Sequence, residues 1–173
     1  MDLKLEISPS EKKIQERIGK ENWANLHKLT VANPSGYVCS GCGFVPSNGQ
    51  VLRVHVLPYD ETDFDIMQRY AELQTSLLCD ACHTLKHFDL AAASGKIRLV
   101  NSDFTQKDLI AVCRHGNQAV NAYVKGNRKI EKRIFPLKKK PEDYLREISE
   151  DEKGFNPKIK VIFTDKFNWS NCR

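Results

Sequence analysis

The pattern of apolar and polar positions at the start of the chain predicts one helix before the first cysteine. Ser8 and Glu11 form a capping pattern at its start. Ile14 and Ile18 then lie one helical turn apart, which predicts a buried stripe. We therefore expect a helix that runs to about Asn25.

Alternation in the following segment predicts a β-hairpin over residues 44–57. Ser47-Asn48-Gly49 is a tight-turn signal, and a β-branched run from Val51 to Leu57 ends at Pro58. Because side chains alternate along a strand, two faces are predicted for this run. Leu52, Val54 and Val56 share one face, and Arg53 and His55 share the other.

Further short elements are predicted downstream. They are a helix from Thr62 to Leu73, a helix from about Cys82 to Ala93 that stops at Gly95, a strand over residues 96–100, and a capped helix from Thr105 to about Val124. The tail alternates from Lys158 to Phe163, which fits either an added strand or a clamp on a partner. The order of elements indicates an α+β fold.

The length of 173 residues allows one compact domain and an extension. We place the domain at residues 1–124 and a basic C-terminal extension, packed on it or on a partner, at residues 125–173. Lys125 to Lys140 holds eight basic residues and one acid. This stretch is either a solvated face or a docking surface for an acidic partner or a phosphate backbone.

The composition indicates a cytoplasmic protein. No apolar run approaches the ~20 residues of a membrane span, and the N-terminal residues lack the apolar core of a signal peptide. The six cysteines do not suggest a disulfide framework, because four of them fit a metal site. The net charge of +5 permits an acidic partner without requiring one.

Two Cys-x-x-Cys pairs are the strongest chemical signal in the chain. Cys39 and Cys42 form the first pair, and Cys79 and Cys82 form the second. Two such pairs supply the four thiolates of a closed tetrahedral zinc site. The order of pair, hairpin, excursion and a second pair that opens a helix predicts a treble-clef zinc finger. Zn²⁺ is the expected cofactor, whereas Cys113 is expected in the core and Cys172 has no evident partner.

The region over residues 37–95 resembles the HNH, or His-metal finger, nuclease family. The resembling elements are Cys39/Cys42, the strand His55-Val56-Leu57-Pro58, and the segment from Leu77 to Lys86 with His83 directly after the last cysteine. The resemblance implies a ββα fold, here with added N- and C-terminal helices. It also implies that His55 is the general base and that His83 is a ligand of a second, catalytic metal.

The resemblance is incomplete at two positions. Val54 stands where the family has a metal-binding side chain, and Gln74 stands where it has an asparagine. With Val54 the catalytic metal keeps His83 as its ligand. His87 lies one helical turn from His83, so it either faces the same way and helps to hold the metal or, as we expect, lies at the surface. The nuclease scaffold is therefore expected to be retained without its chemistry.

A second resemblance covers residues 22–124 and is to the IcmJ/DotN family of type IVB secretion systems. It is carried by the segments Asn22-Trp23, Cys39 to Phe44, Gly95 to Val100 and Phe104 to Arg114. This family has an HNH-like zinc fold without nuclease activity. The resemblance implies a cytoplasmic adaptor that binds a segment of the coupling ATPase in a secretion coupling complex.

The sequence thus predicts a non-catalytic, zinc-stabilised interaction module with a degenerate HNH fold. The alternative is a metal-dependent HNH endonuclease acting on DNA, with His55 and His83 as its catalytic residues. A third hypothesis is a DNA-binding finger without chemistry that uses Lys125 to Lys140.

Overall fold

The computed structural model describes residues 10–32, 36–47, 49–57, 69, 73–102, 104–116 and 159–172. Their helices are α1 (Glu11–Ile18), α2 (Lys20–Val31), α3 (Asp80–Lys86), α4 (Phe88–Ala93) and α5 (Gln106–Arg114). The strands are β1 (Arg53–Val56), β2 (Thr75–Leu78), β3 (Ile97–Asn101) and β4 (Ile159–Phe163). The fold is α+β, with one small sheet of β1 and β2 and another of β3 and β4.

Two helices stand where the sequence predicts one. The oxygen of Ser10, not Ser8, caps α1, because it accepts a hydrogen bond from the backbone N–H of Lys13 at 3.3 Å. Gly19 then adopts φ +84°, a conformation that side-chain-bearing residues rarely take, and separates α1 from α2. A glycine at this φ interrupts the helical hydrogen bonds, so the single helix to Asn25 was a wrong prediction.

The predicted hairpin is also replaced by a different pairing. The turn at Ser47 is present, since the N–H of Gln50 donates to the Ser47 carbonyl at 3.0 Å. However, β1 pairs antiparallel with β2, with Val54 opposite Leu77, and residues 44–47 form no strand. This register brings apolar side chains of both strands into one core, which a local hairpin would not supply.

The second sheet uses the tail of the described chain. β3 pairs antiparallel with β4, with Ile97 opposite Phe163 and Val100 opposite Lys160. Gln106, which is 1% exposed, binds both backbone groups of Val161: its Nε2 donates to the carbonyl and its Oε1 accepts from the N–H, each at 2.8 Å. The alternating tail is therefore a strand, and the side chain of Gln106 anchors α5 to it.

Helix α5 begins as predicted and ends early. The Thr105 oxygen accepts from the N–H of Asp108, and the Asp108 carboxylate accepts from the N–H of Thr105, which forms a capping box. The helix ends at Arg114, followed by Gly116 at φ +92°, instead of reaching Val124. Cys113 is buried in the core, as predicted.

Two hydrophobic clusters hold the described parts together. The larger one contains the cysteine pairs and joins both sheets to α3, α4 and the tail, where Phe163, Phe167 and Trp169 pack ring against ring. The smaller one packs α1 and α2 on the end of β1, and its buried members are Ile14, Ile18, Leu26, Val56 and Leu73. The first sheet therefore lies between the N-terminal helices and the cysteine region.

Some predictions fall outside the described residues, including most of the helix from Thr62 to Leu73 and the basic stretch from Lys125 to Lys140. The division into domains at residue 124 also stays a prediction. Within the part of the chain that the structure describes, no helix has the length and apolar character needed to cross a membrane.

Candidate metal centres

The first cysteine pair lies in a tight turn that is closed by backbone hydrogen bonds. The N–H of Cys39 donates to the carbonyl of Phe44 at 2.9 Å, and the N–H of Gly43 donates to the carbonyl of Cys39 at 2.8 Å. Gly43 has φ +77°, which a glycine adopts without strain. The backbone and side chain of Ser40 both donate to the carbonyl of Leu77, which attaches this turn to β2.

The second pair is placed by a strand and a helix. Cys79 follows β2 directly and is the N-cap of α3, so Cys82 lies within the first turn of that helix. The N–H of His83 donates to the carbonyl of Cys79 at 2.8 Å, which fixes the start of the helix. β2 therefore connects the two pairs, since it contacts Ser40 and leads into Cys79.

The four sulfurs converge. The Sγ atoms of Cys39, Cys42, Cys79 and Cys82 all lie within 4.8 Å of one another. The Sγ atoms of Cys42 and Cys79 are 3.7 Å apart, and two sulfurs bound ~2.3 Å from a tetrahedral zinc stand ~3.8 Å apart. The predicted set of four cysteines thus forms a cluster that could hold a metal ion, plausibly zinc.

The thiols of this cluster cannot all ionise without a cation. Hydrogen bonds from Cys39, Cys79 and Cys82 lower the pKa of Cys42. Hydrogen bonds among the sulfurs, together with burial, raise the pKa of Cys39 and of Cys82. A divalent ion removes this conflict, because it binds all four cysteines as thiolates.

Arg114 and Cys172 adjoin the cluster, and the sequence analysis assigned neither to it. The Arg114 guanidinium donates to the Cys42 sulfur at 3.4 Å and lies 4.7 Å from the centre of the Phe44 ring. Cys172 is fully buried, and its hydrogen bond with Cys79 raises the pKa of Cys79 to about 11 and lowers the pKa of Cys172. Both residues come from distant segments, so no local spacing indicates their position.

Three histidines form a second cluster. His55 comes from β1, His83 from α3, and His87 from the break between α3 and α4. One ring nitrogen of each lies within 4.8 Å of the other two. The ring centres are separated by 4.6 Å for His83 and His87, 5.6 Å for His55 and His87, and 5.7 Å for His55 and His83.

The position of His87 corrects the sequence analysis. His87 was expected at the surface, yet it is 8% exposed and faces the other two histidines. Val54 is buried at 1% exposure in the core, so it is no ligand, as expected. Three imidazole side chains therefore converge here, where the sequence analysis expected His83 alone.

Glu11 borders the histidine cluster, and sequence analysis did not place it there. Its Oε1 is 3.0 Å from Nε2 of His83, which makes an ion pair when the imidazole is protonated. Burial raises the pKa of Glu11, but its contact with His83 and the charges of His83, Arg53 and His87 lower that pKa by more. No sequence spacing relates residue 11 to residue 83.

A pocket of about 550 Å³ opens onto this cluster. Glu11, His83 and His87 line it together with four basic side chains, which are Lys12, Arg53, Lys96 and Lys166. Arg53 is held by Asp80, whose Oδ1 accepts from its Nε at 2.9 Å, and Asp80 also accepts from Asn171. The surroundings of the histidines are thus open to solvent and rich in positive charge.

No protein-family model, curated protein or solved structure matches this chain. The cysteine cluster, the histidine cluster and their surroundings are therefore the features of the chain that bear on its function.

Proposed function

We propose that this protein is a zinc-stabilised interaction module built on a treble-clef fold of the HNH type, without nuclease activity. The observation that carries the proposal is the closed set of four sulfurs. A zinc ion with four thiolate ligands has no position left for water or substrate, which is characteristic of structural sites. The ion would stabilise the fold and leave the surface to do the binding.

Exposed apolar side chains near the first cysteine pair support a protein partner. Val45 is 65% exposed and Val51 is 49% exposed, on either side of the turn at Ser47. Apolar groups held at the surface by a rigid turn favour contact with another chain. From the resemblance to the IcmJ/DotN family, we propose that this chain is a cytoplasmic adaptor that binds a segment of the coupling ATPase of a type IV secretion system.

A binding experiment tests this proposal. Calorimetry with peptides from the coupling ATPase is expected to show a complex that Val45→Asp or Val51→Asp weakens. Leu90→Asp is the matched control, since Leu90 is an exposed apolar residue of α4. Absence of any complex, or equal loss in all three variants, would count against an adaptor that uses this surface.

The second candidate function is a metal-dependent endonuclease, and the histidine cluster is the observation that favours it. An imidazole-bound divalent ion can polarise a phosphodiester and activate water. The four basic side chains that line the adjacent pocket would attract the phosphate backbone. In this hypothesis His55 is the general base and His83 holds the metal, with help from His87.

A plasmid-nicking assay separates the two functions. The adaptor predicts no cleavage with magnesium, manganese or nickel. The endonuclease predicts metal-dependent nicking that His55→Ala abolishes and His115→Ala, an exposed histidine outside the cluster, preserves. Nicking with this pattern would reject the non-catalytic proposal, and an inert protein with every metal would reject the second candidate.

A further inference from the structure

The three histidines and Glu11 come from four separate places in the chain, which argues against an accidental grouping. Glu11 begins α1, His55 lies on β1, His83 lies in α3, and His87 follows α3. His83 and His87 are four residues apart, so one helical turn aligns them. The remaining two residues reach the same place through the packing of α1 and β1.

The ring nitrogens are close enough for a shared ion. They lie within 4.8 Å of one another, against ~3.4 Å for two nitrogens bound to a tetrahedral zinc. Rotation of the rings about their side-chain torsions covers that difference. Imidazole nitrogens favour zinc, copper, nickel and iron over the hard cations calcium and magnesium.

Glu11 completes the ligand set. Its Oε1 is 3.0 Å from Nε2 of His83, against ~3.4 Å for two ligand atoms bound at ~2.1 Å to a tetrahedral ion. A carboxylate would also offset part of the charge of the ion.

We propose that His55, His83, His87 and Glu11 form a second metal site, separate from the four cysteines, that binds a divalent transition-metal ion of the Zn²⁺ type. This assignment differs from the roles that the HNH resemblance implies, because His55 becomes a ligand and not a base. Both the adaptor and the endonuclease are compatible with such a site. The proposal is therefore independent of the function proposed above.

Metal titration of the full chain tests the site. Protein that holds only its tightly bound zinc is titrated with Co²⁺, whose absorption distinguishes thiolate ligands from imidazole ligands. We expect one further equivalent without a thiolate band. His83→Ala and His87→Ala should lose that equivalent and keep the first ion, and His115→Ala should keep both.

Glu11→Gln provides a graded test of the carboxylate. Loss of a group that binds or orients a metal ligand costs roughly tenfold to a hundredfold in affinity, so this variant should bind the second Co²⁺ at least tenfold more weakly. Glu16→Gln is the control, because Glu16 is an exposed residue of the same helix. Equal affinity of wild type and Glu11→Gln would remove Glu11 from the site.

A measurement on the wild-type protein avoids any dependence on how the variants fold. Imidazole ¹H–¹⁵N NMR spectra with one added equivalent of Zn²⁺ should shift the signals of His55, His83 and His87 and leave His115 unchanged. Unchanged signals, or a single ion per chain with excess metal, would overturn the proposal. Neither result bears on peptide binding by the exposed valines, which decides the adaptor separately.

Discussion

At the scale of single residues, the six cysteines of the chain differ in what they contribute. The sulfurs of Cys39, Cys42, Cys79 and Cys82 converge and could hold a metal ion, whereas Cys113 fills the core. Cys172 contacts the cluster from outside through its hydrogen bond with Cys79. Substitutions at these three kinds of position should therefore give three different results.

Cys82→Ser is expected to abolish zinc binding and unfold the protein. Zinc binding to structural sites is worth on the order of 10 kcal/mol, which approaches the whole stability of a small domain. Metal analysis and circular dichroism of the purified variant check this. Cys113→Ala should keep one zinc per chain and lose only packing energy, and a variant Cys82→Ser that folded and held zinc would contradict the ligand assignment.

Cys172→Ala is expected to weaken zinc binding without abolishing it. With zinc bound, Cys79 is a thiolate without a proton, so the adjoining Cys172 thiol is the donor to its sulfur. Loss of such a partner typically costs roughly tenfold to a hundredfold in affinity. Competition with a zinc chelator measures the change. Cys172→Ser retains a hydrogen-bond donor and should recover most of the affinity; equal losses in both variants would indicate a packing effect.

At the scale of elements, the contact between α5 and β4 depends on one amide side chain. Gln106 satisfies both backbone groups of Val161 in a buried environment. Leaving buried polar groups without partners costs about 1–3 kcal/mol each. We expect Gln106→Leu to lower the free energy of unfolding by about 2–6 kcal/mol, the sum for both groups, measured by urea denaturation.

The exposed neighbour Lys107 gives the matched control for this element. Lys107→Ala should change the free energy of unfolding by less than about 0.5 kcal/mol, as expected for a surface site. Hydrogen exchange at the Val161 amide should accelerate in Gln106→Leu alone. An unchanged exchange rate there would show that the side chain does not protect the strand.

The same elements show how far the sequence predicts this fold. Local signals were reliable: the capping box at Thr105, the strand after Gly95 and the turn at Ser47 are all present. Pairing was not predictable, since β1 joins a strand about twenty residues away instead of the neighbouring segment. Side chains and spacing describe neighbours along the chain, whereas register depends on which distant strand completes the core.

The cysteine and histidine clusters show the same difference between local signals, which the sequence predicts, and long-range packing, which it does not. The two Cys-x-x-Cys pairs directly predicted the four sulfurs that converge in the structure. His87 was expected at the surface because a single histidine one turn after His83 carries no burial signal of its own, yet the structure buries it between α3 and α4. Glu11 and Cys172 could not be found from the sequence, because tertiary packing alone brings them beside His83 and Cys79.

At the scale of the whole molecule, the tail is part of the larger core. Val161, Phe163, Phe167 and Trp169 are buried there, and Cys172 reaches the cysteine cluster. We expect a fragment of residues 1–124 to expose apolar surface and to aggregate or bind a hydrophobic dye. A soluble, cooperatively unfolding fragment would instead support the domain boundary predicted at residue 124.

Zinc binding should also make the stability of the molecule depend on pH. The ion binds thiolates, so unfolding with loss of zinc takes up protons, and acid favours the unfolded state. We expect the melting temperature with zinc present to fall steadily between about pH 7 and pH 5. With excess chelator the cooperative transition itself should be lost at every pH, which differential scanning calorimetry measures.

The antiparallel contact of β3 with β4 has a consequence for biosynthesis. Asn101 and Ile159 are neighbours in space although more than fifty residues separate them along the polypeptide. During translation the second sheet cannot form until that intervening length has left the ribosome. The cysteine pairs emerge earlier, so a nascent chain can bind its metal before β4 is available to cover the larger hydrophobic cluster.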